Sequence, residues 1–454
     1  MKSFKSSHLG PRLRLVAAVP NFAAGLALLL SFIQLTLLGQ DSFVLSGATV
    51  HTISGQTFSP GEVLVRNGKI AGVGEKVSAG DAKPIDVKGM HLYPSLIGLD
   101  TVLGLVEIEA VRATEDLTEV GEYRPDVQSW VAVNPDSELI PVTRANGIGY
   151  FEPAPQGGIV AGQSGLVAVE GWTSEQMAVR KPIALHVAWP SFELDTTPKD
   201  RLPSRAKFKS LDEQAKDRRA AVKAIDEFFE EAKAYLKAKD AAADGKSTAP
   251  DRAPAWEAMI PYLRGELPIV IHADEVRQIK SALTWAGTNK YKVILAGGRD
   301  AAMVADLLAA KKIPLIYEHT FTQPVRATES YDVHFAAPAA LHKAGVQVIF
   351  SIGPRTFETP MARNLPYAAA QAVAFGLAEE EALKGLTLYP AQLAGVADRL
   401  GSIEPGKDAS FFVADGDILD LRANVKRMWL AGHEVSLESK HTRLYEKYKN
   451  RPKL

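Results

Sequence analysis

Residues 91–108 read HLYPSLIGLDTVLGLVEI, and we expect the rest of the chain to be organised around this stretch. Leu96, Ile97 and Leu99 are apolar, which is typical of a buried strand, and Pro94 breaks the entry to that strand. Asp100 follows at the point where the strand gives way to a loop. In α/β barrels the functional groups lie at the carboxyl ends of the strands, so Asp100 is a first candidate site residue.

Length and composition limit the classes of protein that the chain can represent. Its 454 residues can hold one large domain and a small second one. The net charge of −1 gives no electrostatic basis for binding nucleic acid or an anionic membrane surface. The chain has no cysteine, which excludes disulfides, thiolate metal ligands and a cysteine nucleophile.

The first 40 residues have the pattern of an export signal. Four basic residues, Lys2, Lys5, Arg12 and Arg14, precede the apolar run NFAAGLALLLSFIQLTLLG at residues 21–39. A basic segment followed by an apolar one predicts a secretory signal and a periplasmic or extracellular protein. The run is near the lower length limit of a bilayer span and lacks a clear cleavage site, so an uncleaved N-terminal anchor is the alternative. A buried core helix is the third interpretation.

Two short segments far apart in the chain have strand-and-turn patterns. Residues 43–74 contain FVLSGATVHT and EVLVRNGKIAGVG, in which apolar residues alternate around an Asn-Gly turn. Residues 400–436 contain LGSIEPGKDASFFVADGD and VKRMWLAGHEV, which also indicate short strands. Both segments predict β-structure with tight turns.

The long region between these segments alternates strand-like and helix-like runs. The predicted strands are IGYFEPAP, GLVAVEG, IALHVAW, LPIVIHAD, YKVILAGG, IPLIYEH and VQVIFSIG. The predicted helices include VRQIKSALTWAG, DAAMVADLLAAKK and AAAQAVAFGLAEEEALKGL. This alternation predicts an α/β architecture with a mostly parallel sheet.

Residues 195–250 form a charged insertion with a strong helical pattern. One stripe of this helix carries Val222, Ile225, Phe228, Phe229, Ala232 and Leu236. An apolar stripe must pack against another surface, either the outside of the main domain or a partner protein.

The chain resembles the amidohydrolase superfamily, in particular its imidazolonepropionase-like members. Residues 401–409, GSIEPGKDA, match a phrase of that family closely, and Pro94, Leu96 and Ile97 match its first barrel strand. The resemblance implies a (β/α)8 TIM-like barrel plus a small composite β-sandwich built from N- and C-terminal segments. The expected domains are a signal or anchor at 1–40, sandwich halves at 41–91 and 400–437, a barrel at 92–399 and a basic polar tail at 438–454.

The resemblance also implies metal ligands at defined strand ends, and most of them are replaced here. Asp100 and Val102 stand where the first strand usually has two histidines. His272 matches the histidine of the fifth strand. Gly297 and Gly353 stand near the places of the sixth-strand histidine and the eighth-strand aspartate, and glycine has no side chain to offer. His272 is therefore the one metal ligand that the family pattern assigns.

Other residues could rebuild a site around His272. The candidates share a position near a predicted strand end, and they are Asp100, His186, Asp274, Glu275, Glu318 and His319. Asp274 and Glu275 directly follow His272, so this cluster could bind one divalent Zn, Mn or Fe ion or act as an acid and base without metal. The alternative for Asp274 and Glu275 is capping of the helix that begins near Val276.

Two further features could bind a ligand. Arg299 lies in GGRD at a helix start, where an anion can bind, and Glu318 and His319 end a predicted strand. The glycine-rich run PQGGIVAGQSGLV, residues 155–167, could hold an anion or make a tight strand connection.

The sequence thus leaves two functions open. The first is an exported hydrolase of carbon–nitrogen bonds other than peptide bonds, acting on cyclic amides, amides or dipeptide-like compounds with an atypical metal site. The second is an inactive relative, a pseudoenzyme whose barrel binds a ligand or partner. A small-molecule ligand is expected in both cases. Binding of nucleic acid is not expected, nor is membrane contact beyond the N-terminal segment. A homodimer is expected from analogy with similar barrels.

Overall fold

The computed structural model describes residues 42–201 and 208–452, and the expected signal or anchor at 1–40 lies outside the described residues. Among the residues that are described, no helix is both long and apolar enough to cross a bilayer. The strands are β1 Phe43–Val50, β2 Phe58–Arg66, β3 Lys69–Gly74, β4 Lys83–Asp86, β5 His91–Pro94, β6 Leu96–Thr101, β7 Ile148–Pro153, β8 Val160–Ala168, β9 Ala178–Ala188, β10 Ile269–Ala273, β11 Val293–Gly297, β12 Leu315–Tyr317, β13 Val348–Phe350, β14 Phe411–Ala414, β15 Val425–Leu430 and β16 His433–Val435.

The α-helices are α1 Leu139–Arg144, α2 Ser174–Met177, α3 Leu211–Ala243, α4 Pro254–Leu263, α5 Val276–Asn289, α6 Ala305–Ala310, α7 Val333–Lys343, α8 Leu365–Ala374, α9 Glu379–Leu386, α10 Leu388–Leu393 and α11 Lys440–Lys449. Short 3-10 helices lie at Arg112–Thr114, Ser129–Ala132, Lys199–Arg201, Ala301–Val304 and Thr356–Asn364.

The N- and C-terminal segments form one composite sheet, in the order β16-β15-β14-β5-β1-β2-β3 with β4 beside β1. The two segments join where β5 pairs antiparallel with β14, with Leu92 opposite Val413. Trp429 is buried in this sheet, and its ring centroid lies 5.8 Å from that of Phe43 and 5.5 Å from that of Phe411. Each segment alone would leave its apolar face exposed. The pairing of β5 with β14 confirms the predicted composite unit.

The second sheet is a nearly closed barrel in the order β13-β12-β11-β10-β9-β8-β7-β6. The first and last strands are linked near the mouth by Ser351, whose Oγ donates to the carbonyl oxygen of Leu99 at 2.8 Å. Strands β9 to β13 pair in parallel, as do β6 and β7. The predicted TIM-like α/β barrel is confirmed.

One strand departs from the parallel arrangement that the alternation predicts. Strand β8 runs antiparallel to both β7 and β9. The connection from β7 to β8 is only residues 154–159, which is too short for a parallel crossover. Gly157 and Gly158 have φ values of +78° and +70° and make the turn. The glycine-rich run is therefore a hairpin turn followed by strand β8, and Gly162 and Gly165 lie within that strand.

Alternation along the barrel strands decides which side chains face the interior. On β10, Ile269, Ile271 and Ala273 pack outward with the helices, whereas Val270 belongs to the interior cluster. His272 shares the parity of Val270 and therefore faces inward. By the same argument His186 on β9 faces inward with Ala184.

The inserted helix α3 packs on the outside of the barrel. Ser210 and Glu213 form a capping box at its N-terminus, which fixes where the helix begins. From its apolar stripe Ile225, Phe229 and Ala232 are fully buried. The ring centroid of Phe229 lies 4.8 Å from that of Trp285 on α5. Of the two alternatives for this stripe, the structure therefore shows packing on the barrel.

Candidate metal centre at the barrel mouth

Three side chains from three barrel strands meet at the mouth. They are Asp100 at the end of β6, His186 on β9 and His272 on β10, and one ligand atom from each lies within 4.8 Å of the others. Asp100 and His186 are fully buried, while 23% of the His272 side chain is exposed. A ligand from the mouth can therefore reach the cluster at His272.

The two rings and the carboxylate follow one another at short distances, with His272 in the middle and a different ring nitrogen facing each neighbour. His186 Nδ1 lies 3.0 Å from His272 Nε2, and His272 Nδ1 lies 3.6 Å from Asp100 Oδ2. Burial, together with the nearby charge of His186, lowers the pKa of His272 to about 3. His272 is therefore a neutral imidazole at physiological pH, and a neutral imidazole is the form that ligates metals.

A second group of side chains contacts His186 at Nε2, the ring nitrogen that does not face His272. His186 Nε2 lies 2.9 Å from Ser164 Oγ and 3.2 Å from Glu152 Oε1. Ser164 Oγ donates to Glu152 Oε1 at 2.5 Å, and the amide of Asp100 donates to Glu152 Oε2 at 3.1 Å. Glu152 thus links two members of the cluster and fixes the orientation of the His186 ring.

Glu152 is ionised despite its burial. Burial alone would raise the pKa of its carboxyl, but the hydrogen bond and the charge of His186, with further hydrogen bonds from Ser164 and the Asp100 amide, hold that pKa below the ordinary value. A carboxylate bonded to the far nitrogen of a histidine is the arrangement that usually supports metal-bound histidines.

The carboxylate of Asp100 lies in an unusual environment. Its backbone has a φ of +53°, in the left-handed region that few non-glycine residues adopt. Both carboxylate oxygens are buried, and among the described residues no amide or hydroxyl donates to either of them. Burial raises the pKa of Asp100 to about 7; a hydrogen bond with Glu318 lowers it, and the negative charges of Glu152 and Glu358 raise it further.

These observations fit a single divalent metal ion. A buried carboxylate that faces another carboxyl and accepts from no amide or hydroxyl is costly unless it coordinates a metal. One carboxylate and two imidazoles are a donor set for Zn, Fe or Mn, and three protein ligands leave positions for water or substrate. The residues that would hold the ion are Asp100, His186 and His272.

Carboxylates from other positions occupy the space beside the two glycines. A Cβ at Gly297 would lie 2.7 Å from Asp274 Oδ1. A Cβ at Gly353 would lie 2.5 Å from Glu358 Oε2 and 3.3 Å from Glu318 Oε2. The φ values of +86° at Gly297 and +108° at Gly353 also favour glycine, and acidic groups from neighbouring segments lie in this part of the mouth.

Asp274 forms an ion pair with His319 at the mouth. Its Oδ1 lies 2.7 Å from His319 Nε2 and accepts a hydrogen bond from the amide of Arg299 at 3.2 Å. The other ring nitrogen of His319 lies 3.0 Å from Thr322 Oγ1. Burial acts to raise the pKa of Asp274, but the hydrogen bonds and charges of His319 and Arg299 together hold that pKa below its ordinary value.

Glu318 and Glu358 differ from Asp274 in the direction of their pKa shifts. Burial and the charge of Asp100 raise the pKa of Glu318 well above its ordinary value. Burial also raises the pKa of Glu358. The mouth thus contains one carboxyl whose pKa is lowered, at Asp274, and two whose pKa values are raised, at Glu318 and Glu358.

Two of the sequence candidates are engaged in structural contacts. Glu275 N-caps α5, and its Oε1 accepts hydrogen bonds from the amide of Phe192 at 2.6 Å and from Ser191 Oγ at 3.0 Å. The guanidinium of Arg299 pairs with Glu193 at 2.9 Å and with Asp300 at 3.5 Å. Glu275 thus follows the capping alternative, and Arg299 balances carboxylates of its own chain.

Sequence reasoning missed Glu152, Ser164 and Glu358 as parts of this site. Glu152 gave a usable signal, because it is the one charged residue in the apolar strand IGYFEP. Ser164 and Glu358 gave none, since a serine in a strand and a glutamate in a polar loop are common. Tertiary structure alone brings them to the mouth.

Comparison with known proteins agrees with this architecture. The model of the Amidohydrolase family matches residues 178–435, and the chain belongs to that family. A crystal structure of an amidohydrolase from Thermotoga maritima MSB8 is 27% identical, covers 87% of this chain and 99% of its own, and has a TM-score of 0.75.

More distant structures share the fold alone. An adenosine deaminase from Xanthomonas campestris with bound zinc is 15% identical, with a TM-score of 0.52 over 90% of this chain and 97% of its own. A prolidase complexed with N-methylphosphonate-L-proline is also 15% identical, with a TM-score of 0.52 over 87% of this chain and 99% of its own. Among curated proteins, the amidohydrolase tasK of Hapsidospora irregularis is 25% identical over 190 residues, which span 39% of this chain but only 18% of that protein.

Proposed function

We propose that this protein is a hydrolase of carbon–nitrogen bonds that uses one divalent metal ion held by Asp100, His186 and His272. The observation that carries the proposal is the convergence of these three side chains within 4.8 Å, with the Asp100 carboxylate buried and no amide or hydroxyl of the described residues donating to it. Membership of the amidohydrolase family supports the same chemistry.

The chain supplies the other functions that such a reaction needs. When bound, the ion would lower the pKa of a water molecule and polarise the scissile carbonyl. Glu152 orients His186 so that Nδ1 faces His272. Asp274, held by His319, is an ionised carboxylate that can accept a proton at the mouth. Glu318 carries a proton that it can give to a leaving amine.

We extend the proposal to small substrates, namely amides, cyclic amides or dipeptide-like compounds. This class comes from the resemblance of the chain to imidazolonepropionase-like amidohydrolases. The mouth is compatible with it, because the reactive groups lie at the ends of barrel strands and are largely buried. Turnover of a panel of N-acyl amino acids, dipeptides and cyclic amides by the metal-loaded protein would test the substrate class.

The metal content of the purified full-length chain tests the proposed centre. We expect about one equivalent of Zn, Mn or Fe per chain by elemental mass spectrometry after dialysis without chelator, since the cluster has one set of three ligands. His272→Ala and Asp100→Ala should each release it, because two ligands rarely retain a catalytic ion. His441→Ala, an exposed histidine on α11, is the control and should retain the metal.

A metal-free, folded protein that gains no thermal stability from added Zn or Mn would contradict the proposed centre. It would favour the second candidate function, an inactive barrel that binds a ligand or a partner. One observation supports this alternative: Gly297 at the end of β11 and Gly353 after β13 have no side chain at two positions where the family resemblance implies further ligands.

We also propose that the protein is exported and forms a homodimer without binding nucleic acid. The basic and apolar pattern of residues 1–40 supports export, and the net charge of −1 gives no reason to expect nucleic-acid binding. Cell fractionation and N-terminal sequencing would separate a cleaved signal from an anchor. Light scattering of the purified protein would measure the oligomeric state.

A further inference from the structure

We infer that a groove between α3 and α5, on the outside of the barrel, binds a small organic anion with an aromatic or branched apolar body. The groove has a volume of about 710 Å³. This volume is in the range of pockets that hold a metabolite-sized molecule. The proposal is independent of the metal centre, since it depends on different residues.

The floor of the groove is apolar. It is formed by Phe192, Val222 and Trp285, which belong to or pack against the hydrophobic cluster outside the barrel. Phe192 and Val222 are half-buried, and Trp285 is almost fully buried. An apolar body placed here would cover the side chains that the protein leaves partly open to water.

The rim of the groove carries an excess of positive charge. Arg218, Arg219 and Lys223 come from α3, and Arg277 comes from α5. Lys223 pairs with Glu227, whereas no described residue forms an ion pair with any of the three arginines. The chain as a whole has a net charge of −1, so this local excess is a property of the groove.

Among the described residues that line the groove, one side chain is acidic, and it does not balance this charge locally. Asp226 accepts a hydrogen bond from Trp285 Nε1 at 3.2 Å, which directs that oxygen to the floor. Elsewhere on or beside α3 several lysines are paired: Lys209 with Asp217, Lys233 with Glu230 and Lys239 with Glu257. Unpaired arginines over an apolar floor therefore distinguish the groove from the rest of the helix.

The geometry favours a head group such as carboxylate, sulfonate or phosphate. Guanidinium groups bind these planar or tetrahedral anions with paired hydrogen bonds. The Arg218 guanidinium lies 5.7 Å from the ring centroid of Phe192, so that charge and aromatic surface are adjacent. Ser281 and Thr288 add hydroxyl groups along α5. A ligand that combines an anion with a ring satisfies all of these contacts at once.

The groove is separated from the metal centre by the segment that follows β9. The amide of Phe192 is held by Glu275, and the amide of Trp189 donates to the carbonyl oxygen of His272 at 3.1 Å. The groove opens away from the barrel axis, because α3 and α5 cover the outer face of the strands. Binding there does not require the metal ligands, so loss of the metal centre leaves the inference testable.

Fluorescence titration with 1-anilinonaphthalene-8-sulfonate tests the groove, because this probe combines a sulfonate with an aromatic body. We expect saturable binding near one probe per chain at a temperature where the protein is fully folded. The double variant Arg218→Glu/Arg277→Glu should weaken binding about tenfold or more, since it removes two attractive charges and adds two repulsive ones. Lys237→Glu/Lys280→Glu is the matched control, because it places the same charge change on exposed lysines of the same two helices.

Three results would overturn the inference. These are the absence of saturable binding, an equal loss of affinity in both double variants, and equally tight binding of the uncharged analogue N-phenyl-1-naphthylamine. Thermal unfolding of each variant verifies that it folds. Competition by 1-naphthoate and 1-naphthyl phosphate then distinguishes a carboxylate from a phosphate head group.

Discussion

At the scale of single residues, the most informative group is Asp100. Its carboxylate is fully buried, faces two imidazoles and has no amide or hydroxyl donor among the described residues. Such a group destabilises the fold in the absence of a cation and stabilises the complex when a cation is bound. The site is thus organised for ligation at the expense of apoprotein stability.

Asp100→Asn should stabilise the metal-free protein at pH 8 but not at pH 4. The pKa of Asp100 is raised from 3.8 to about 7, so the folded state binds more protons than the unfolded state between these values. The free energy of unfolding therefore falls as the pH rises from about 4 to about 7. The amide cannot ionise and avoids this loss, which is roughly 2 kcal/mol or more at pH 8.

Urea unfolding of the chelator-treated protein at pH 4 and pH 8 measures this effect. Asp244→Asn, an exposed position after α3, is the control and should leave both transitions unchanged. A variant that is less stable than the parent at pH 8 without metal would show that Asp100 has a stabilising partner.

Glu152→Gln should weaken metal binding while it preserves the fold. The amide is isosteric but carries no charge to hold His186 in its ring orientation, and loss of such a partner typically costs 10–100-fold in metal affinity. Competition with a chromophoric chelator measures the affinity. Glu122→Gln, at an exposed glutamate of the loop before β7, should bind metal as the parent does. Unchanged affinity in Glu152→Gln would place His186 outside the ligand set.

At the scale of secondary-structure elements, α3 depends on its apolar stripe. The helix is mostly polar, and only a narrow band of its side chains is buried. Phe229 is the largest of these, and its ring also lies 5.3 Å from that of Tyr291 between centroids. The groove proposed above exists only while this contact holds α3 against α5.

Phe229→Ala should lower the free energy of unfolding by about 3–5 kcal/mol, because it leaves a cavity among packed aromatic rings. Chemical denaturation followed by circular dichroism measures the change. Phe357→Ala is the matched control, since 68% of Phe357 is exposed and its removal should cost less than about 0.5 kcal/mol. A small effect at Phe229 would mean that α3 is only loosely attached.

At the scale of the whole molecule, the first and last parts of the described chain depend on each other. Strand β14 lies between β5 and β15, so the C-terminal segment covers an edge of the N-terminal strands. The buried cluster of this sheet draws on both segments, with Phe43 and Val63 from one and Phe411 and Trp429 from the other. The composite sheet therefore contains strands from before and after the barrel in the sequence. It can form only when the chain includes the strands up to about residue 435.

Deletion of residues 400–454 should therefore abolish folding to a soluble protein. The remaining N-terminal strands would expose an apolar face and an unpaired edge, which favours aggregation. Deletion of residues 440–454 removes only the exposed helix α11 and its end, and it should leave expression and the unfolding transition nearly unchanged. Soluble expression and thermal unfolding compare the two truncations. Equal behaviour would contradict the interdependence of the segments.

The sequence by itself determined the fold class. Alternating patterns, turn residues and the phrase at residues 401–409 predict the barrel and the composite sheet, because these signals are local and repeat over many residues. Residues Asp100 and His272 were also identifiable, since each directly terminates or lies within a recognisable strand. The reversed direction of β8 could not be identified from the sequence, because a parallel and an antiparallel strand have similar local patterns.

Only the tertiary structure decided how the site is composed. It brings His186 beside His272 on the adjacent strand and Glu152 against His186, although the two residues lie 86 and 120 residues from His272 in the chain. It places Glu358 in the space above Gly353 and commits Glu275 to a helix cap. The physical reason is that a titratable group acquires its role from burial and from its neighbours in space, and neither quantity is a property of local sequence.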